Sequence, residues 1–567
     1  MSVARTIVEE ISAAKLASAE GAQILGNQQM GGILMSDGKP YALKHDIYRF
    51  TANPNKPWGH PDHGYTKSDL VPIHMHLDLP ACEQTVEAAS QYLESLRRGE
   101  IPKEASQGVE LEGAVYKKST THLAPAYEDP KQNMHPELME TTLETATGKN
   151  DDGSYPNDPV SVARHIAQSM LEAHEHAQQD GNVVVHTSVP EGGNPYENKN
   201  TPIPYLQAFA PRVLADTLEH ADEIPPEVLT LYERVGIANI QEYLGETGIL
   251  NWPVNALHVH NGVPMVEGYA DTRAAFAMAQ VRNTEMAKIL SFMLYNTSLC
   301  YGQDIGTKDG RSIMRRLLST THGEELPKSA EEYVQGAVAA LENGDVHSLA
   351  RYPKRLQHGH IRIRMDGVTM ESIDAPMSPD LRLVLGWTYI NQIMNVIALD
   401  ALSQVGGDES KVAGKLQALF GELMNPLSAM GDERSSFAHD RIFNKEGFDG
   451  KAPWMNLTYR EAMTHMSTIF EAYAAEYPAI GTYVKIVNTL IAQAVGPTER
   501  VSLEEYFGIE NDSYRPNGKN KGILTDVKQG YGIQDLIDIQ SKATRLQAEA
   551  LSQVTDEQGL LAYFGIG

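Results

Sequence analysis

Two cysteines, Cys82 and Cys300, are all that the 567 residues hold. So few thiols exclude a disulfide framework and a thiolate zinc site, and they point to a reducing compartment. Basic residues are also scarce: 47 Lys and Arg stand against 74 Asp and Glu, a net charge of −27. Such a surface repels polyanions, which argues against nucleic acid and anionic membrane as partners. Long apolar runs are missing too. The most apolar window, Leu383 to Leu402, is interrupted by Asn391, Gln392, Asn395 and Asp400, so it reads as a buried core helix and not as a membrane span of about 20 apolar residues. The first residues, MSVARTIVEEISAAKLASAEG, place acids inside their apolar stretch and lack a signal-peptide core. Cytoplasmic residence is the expectation.

What is present is ordinary globular material, 41% hydrophobic and 21% charged, without a repeat period or a low-complexity tract. The pattern sets an N-terminal accessory segment (1–105) apart from a main body, which passes into a helical C-terminal region (446–567). In the first, the alternating VPIHMHLDL reads as a strand and CEQTVEAASQYLESLRRG as a helix stopped at Gly99. In the second, short strands such as GVELEGAVY, METTLETAT and NVVVHTSVP alternate with amphipathic helices. IRIRM and VTMES around Asp366-Gly367 form a hairpin pattern. Beyond residue 381 the pattern is almost wholly helical.

Three local features bear on chemistry. GVELE and ALHVHNG each carry metal-capable side chains at i and i+2: Glu110 with Glu112, and His258 with His260. In an extended strand such residues share a face, roughly 6.5–7 Å apart, and can point into one cavity. Within RYPKRLQHGHIRIR, Arg351, Arg355, Arg362 and Arg364 gather with Lys354, His358 and His360. In so acidic a chain this is an anion site suited to nucleotide phosphate, or else a solvated basic edge strand.

The order of these motifs resembles the glutamate–cysteine ligase superfamily, and within it the bacterial carboxylate–amine ligase branch that shares the catalytic fold of glutamine synthetase. GVELE, the Glu144 of LETATG, HVHNG, YGQDIG followed by Ser312 and Arg315, and the basic strand stand in the family's sequence across residues 106–445. The resemblance implies an α+β body with a curved, mainly antiparallel sheet wrapped by helices, binding ATP with Mg²⁺ or Mn²⁺. It implies metal ligation by Glu110, Glu112, Glu144 and His258 or His260, with one of the two histidines favoured. Glu140, four residues before Glu144, shares its face and joins the set. Arg311 and Arg315 are both heirs to the family's substrate or phosphate arginine, and Arg364 and Arg362 face the nucleotide.

Departures cluster where the family writes E-x-R, because HIRIRMD places Arg362 before Arg364 and lacks the carboxylate. Either Glu371 on the next arm replaces it, or Glu371 is itself the family's residue and its arginine is lost. The implied activity is ATP-dependent joining of a small-molecule carboxylate to an amine through an acyl phosphate. The alternatives are a catalytically degraded, ligand-binding relative, and phosphoryl transfer to a guanidine. A zinc hydrolase is weaker still, since no HExxH occurs. A homo-oligomer is compatible with all of these.

Overall fold

The computed structural model describes residues 33–36, 39–43, 70–72, 79–118, 134–136, 142–186, 256–282, 284–291, 355–358, 361–364, 369–424, 455–496, 500–516, 526–527 and 531–567, with a few shorter pieces. At its centre is an eight-stranded sheet. In chain order the strands are β1 (Gln107–Lys117), β2 (Met134–Pro136), β3 (Thr142–Ala146), β4 (Asn182–Val185), β5 (Ala256–Gly262), β6 (Arg355–His358), β7 (Ile361–Arg364) and β8 (Thr369–Pro376). In space the order is β6-β7-β8-β5-β1-β3-β2, with β4 also pairing β1. Every pairing is antiparallel. The molecule is thus a mixed helix-and-sheet protein built on an antiparallel sheet.

The alternation of side chains decides which face meets the helices. Val109 and Leu111 on β1, Leu257 and Val259 on β5 and Met370 on β8 are buried in the main hydrophobic cluster. Their intervening neighbours therefore stand on the opposite face. The helices packed in the same cluster are α1 (Cys82–Arg97), α2 (Pro159–Gln179), α3 (Thr272–Arg282), α4 (Glu285–Ser291), α5 (Leu381–Gln404), α6 (Val412–Phe420), α7 (Tyr459–Glu476) and α8 (Gly481–Val495), with the C-terminal α9 (Ile533–Ser552) and α10 (Glu557–Tyr563). Asp158 starts α2 by accepting from Val160 and Ser161 N–H at 2.9 Å, with Pro159 in the first turn.

Helix α5 is buried from Leu381 to Leu402, as its apolar sequence requires. Its polar residues find partners inside: Gln392 donates to Tyr92 Oη at 2.7 Å, and Asp400 accepts from Tyr477 at 2.8 Å and Tyr473 at 3.2 Å. Asp380 caps its N-terminus and is paired with Arg382 at 2.5 Å; both are almost fully buried. Among the described residues no helix is long and apolar enough to cross a membrane. Asp366-Gly367 of the hairpin pattern and the YGQDIG segment with Ser312 lie outside the described residues.

Candidate metal centre

Strand register brings the acids and imidazoles together. Glu110 stands opposite His258 across the β1–β5 pairing, Glu112 opposite Glu144 across β1–β3, and Glu371 opposite His260 across β8–β5. Directly opposed residues of an antiparallel pair share a face, with Cβ atoms about 5 Å apart. All six side chains thus stand on the face turned away from the main hydrophobic cluster. Ligand-capable atoms of Glu110, Glu144 and His258 lie within 4.8 Å of one another, and so do those of Glu110, His260 and Glu371.

Glu110 is the hinge between the two groups. His258 donates from Nδ1 to its Oε2 at 2.8 Å, while His260 Nε2 lies 3.0 Å from its Oε1. The same His258 ring approaches Glu371 at 3.6 Å through Nδ1 and Glu112 at 3.9 Å through Nε2. Burial pushes the Glu110 carboxyl up, but the His260 charge and the hydrogen bond from His258 outweigh it and hold Glu110 well below the usual carboxylate range. Burial likewise opposes a charge on His258, yet its hydrogen bond to Glu110 and the charges of Glu110, Glu112 and Glu371 raise it above its ordinary value. Glu112, Glu144 and Glu371 are 7%, 5% and 1% exposed. Four carboxylates thus share a largely buried space with two imidazoles.

This donor set fits a divalent metal. Carboxylate oxygens suit Mg²⁺ and Mn²⁺, imidazole nitrogen suits the transition metals, and the ligands come from four separate strands. The backbone around them is pinned. Val109 N–H donates to Thr147 Oγ1 at 2.8 Å, and Gln107 Nε2 donates to Thr388 O at 2.8 Å and to Asn261 Oδ1 at 3.2 Å. On the other side, His186 Nδ1 donates to Glu112 O at 3.1 Å. A Cβ on Gly113 would stand 2.6 Å from Val184 Cγ1 and 2.8 Å from His186 Nδ1, so only glycine admits this ring beside Glu112.

Sequence reasoning picks out Glu110, Glu112, Glu144, His258 and His260, and the register brings all five into one group. Glu371 joins them from β8, directly opposite Arg362 of β7. The carboxylate absent from the basic strand therefore has a counterpart one strand away. Arg362 and Arg364 are placed by their backbone in β7, Arg364 opposite Arg355. Glu140, Arg311 and Arg315 lie outside the described residues. Missed altogether are Gln107, Gly113, Thr147 and His186, whose roles depend on contacts across the sheet. The only sequence signal for any of them is a glycine inside a strand, which marks a close backbone approach.

No family model matches the chain, and no curated protein matches it. Among solved structures it is similar to a bifunctional glutathione synthetase from Pasteurella multocida, at 11% identity and a TM-score of 0.41, over 84% of this chain. The chain spans 57% of the length of that structure. So distant a likeness leaves function to the site's own geometry.

Proposed function

We propose that the chain is an ATP-dependent ligase joining a carboxylate to an amine, with a glutamine synthetase-type sheet face as its active surface. The observation that carries this reading is the set of four carboxylates and two imidazoles on one sheet face, with a basic strand registered beside it at Arg362 opposite Glu371. Glu110, Glu112, Glu144, Glu371, His258 and His260 would hold divalent cations. When bound, such cations neutralise phosphate oxygens and make the γ-phosphoryl group a better electrophile. The chain's own contribution is to keep Glu110 ionised, to hold the ligands on a rigid sheet and to bring positive charge from β7. A carboxylate does not react directly with an amine, because its oxide is too poor a leaving group. Attack of the substrate carboxylate on the γ-phosphorus of ATP expels ADP and forms an acyl phosphate. The amine then attacks the acyl carbon, phosphate leaves, and the amine proton passes to solvent. The resemblance to the glutamate–cysteine ligase superfamily agrees with this assignment.

Hydroxylamine, a small and strong nucleophile, stands in for the amine. The protein is incubated with ATP, Mg²⁺ or Mn²⁺, hydroxylamine and pools of carboxylic acids, beginning with amino acids. Hydroxamate and ADP formed together, dependent on one acid and lost in Glu112→Gln, are the expected result. Metal-dependent ATP binding without hydroxamate from any acid would overturn ligation and favour the non-catalytic relative. Phosphorylation of a guanidine in its place would make the chain a phosphotransferase.

A further inference from the structure

Glu110 lies between two rings, one oxygen turned to each: Oε2 to His258 at 2.8 Å and Oε1 to His260 at 3.0 Å. Each ring belongs to its own cluster of three ligand-capable groups, Glu110 with Glu144 and His258, and Glu110 with His260 and Glu371. Neither cluster is built of oxygen alone. Mg²⁺ prefers oxygen in near-ideal octahedral geometry and gives up water reluctantly, whereas imidazole nitrogen favours Mn²⁺, Co²⁺ and Zn²⁺ in rising order. The side chains of His258 and His260 are 14% and 12% exposed, so bulk water has little room to replace either ring.

We propose that His260 is a metal-selectivity residue: with His258 already on one side of Glu110, the second imidazole turns the cradle from a Mg²⁺ site into one that selects nitrogen-accepting transition-metal cations, with Glu110 as the shared ligand. This rests on reading the cluster as a cation site and is independent of which group receives the phosphoryl. His260 is the informative position because, among the described residues, it is the histidine grouped with both Glu110 and Glu371. Asparagine there keeps a neutral donor of similar reach and exchanges nitrogen for oxygen.

The test measures metal binding by the full-length protein without ATP. Mn²⁺ is titrated by equilibrium dialysis with Mg²⁺ as competitor, and bound Mn²⁺ is examined by pulsed electron paramagnetic resonance on natural and ¹⁵N-histidine-labelled protein. We expect Mn²⁺ to be preferred over Mg²⁺ by at least tenfold, with nitrogen couplings from two inequivalent histidines. In His260→Asn one coupling disappears and the preference falls at least tenfold. A parent spectrum with one histidine coupling or none overturns the proposal even if the variant fails to fold. An unchanged Mn²⁺-to-Mg²⁺ ratio in folded His260→Asn also overturns it. Failure of the hydroxamate assay alongside two-histidine Mn²⁺ binding would sink the ligase reading and leave this one standing.

Discussion

Glu371, 1% exposed with His258 at 3.6 Å, is the most deeply buried acid of the cluster. Glu371→Gln keeps the shape of the side chain and removes the charge that the proposed metal site would use. The variant is expected to lose most of the rise in Tm that saturating Mn²⁺ gives the parent, each protein being compared with its own metal-free form. At a hundredfold excess over Kd that rise corresponds to about 2.7 kcal/mol. An equal rise in both proteins would remove Glu371 from the ligand set. His174 supplies a separate pH signature. Burial, followed by the charges of His186 and Arg545, pushes it down to about 3 from an ordinary 6.5. Below pH 6.5 the unfolded chain takes up a proton that the folded protein refuses. Stability is therefore present in full above that pH and is lost as the pH falls towards 3, at up to about 1.4 kcal/mol per pH unit. Urea midpoints at pH 7.5 and 5 should differ less in His174→Leu than in the parent.

At the scale of elements, α5 is held by a buried pair. Asp380 accepts from Arg382 Nε at 2.9 Å and from Arg382 N–H at 3.1 Å, and Gln547 of α9 donates to it at 3.3 Å. Asp380→Ala strands a guanidinium that is 4% exposed and removes the helix cap, and is expected to cost about 3–5 kcal/mol in urea unfolding. Adding Arg382→Met should restore part of this, because the unpaired charge is gone; a double variant no more stable than the single one would refute that account. Gly113→Ala should cost about 1–3 kcal/mol by crowding Val184 and His186. It should also weaken Mn²⁺ binding through the displaced Glu112 backbone, read in the same dialysis assay. The strands were legible because period-two alternation survives in GVELE and HVH, and α5 was legible because its apolar run is too interrupted for a membrane. Register was not. The sequence leaves two readings of Glu371, and only strand pairing sets it against His260; nothing around Gln392 signals Tyr92, 300 residues away. Periodicity reports faces, whereas partners across a fold are fixed by topology.

For the molecule as a whole, one hydrophobic cluster includes Ala89 and Leu96 of α1, Leu111 and Val259 of the sheet, Trp387 of α5, Ile486 of α8 and Leu560 of α10. Helix α9 lies along α2, joined through Ser541 and His174 at 3.5 Å. Far-ultraviolet and fluorescence probes should therefore report coincident unfolding of the full chain. Truncation before Ile533 should lower the midpoint for the whole protein; an unchanged midpoint would show the C-terminal helices to be dispensable. One detail of β1 carries a consequence in time. Ala114 pairs with Thr142 on one side and Val185 on the other, while Glu110 pairs with His258. Strands β5 and β4 thus follow one another along a single edge of β1, and His186 seals their joint at the Glu112 carbonyl. The central strand must recruit three partners from distant parts of the chain, His258 among them 148 residues from Glu110. Closing such long loops is slow, so refolding from urea should regain helical signal well before it regains metal affinity. During synthesis, the acids of β1 and β3 leave the ribosome long before the histidines that will neutralise them.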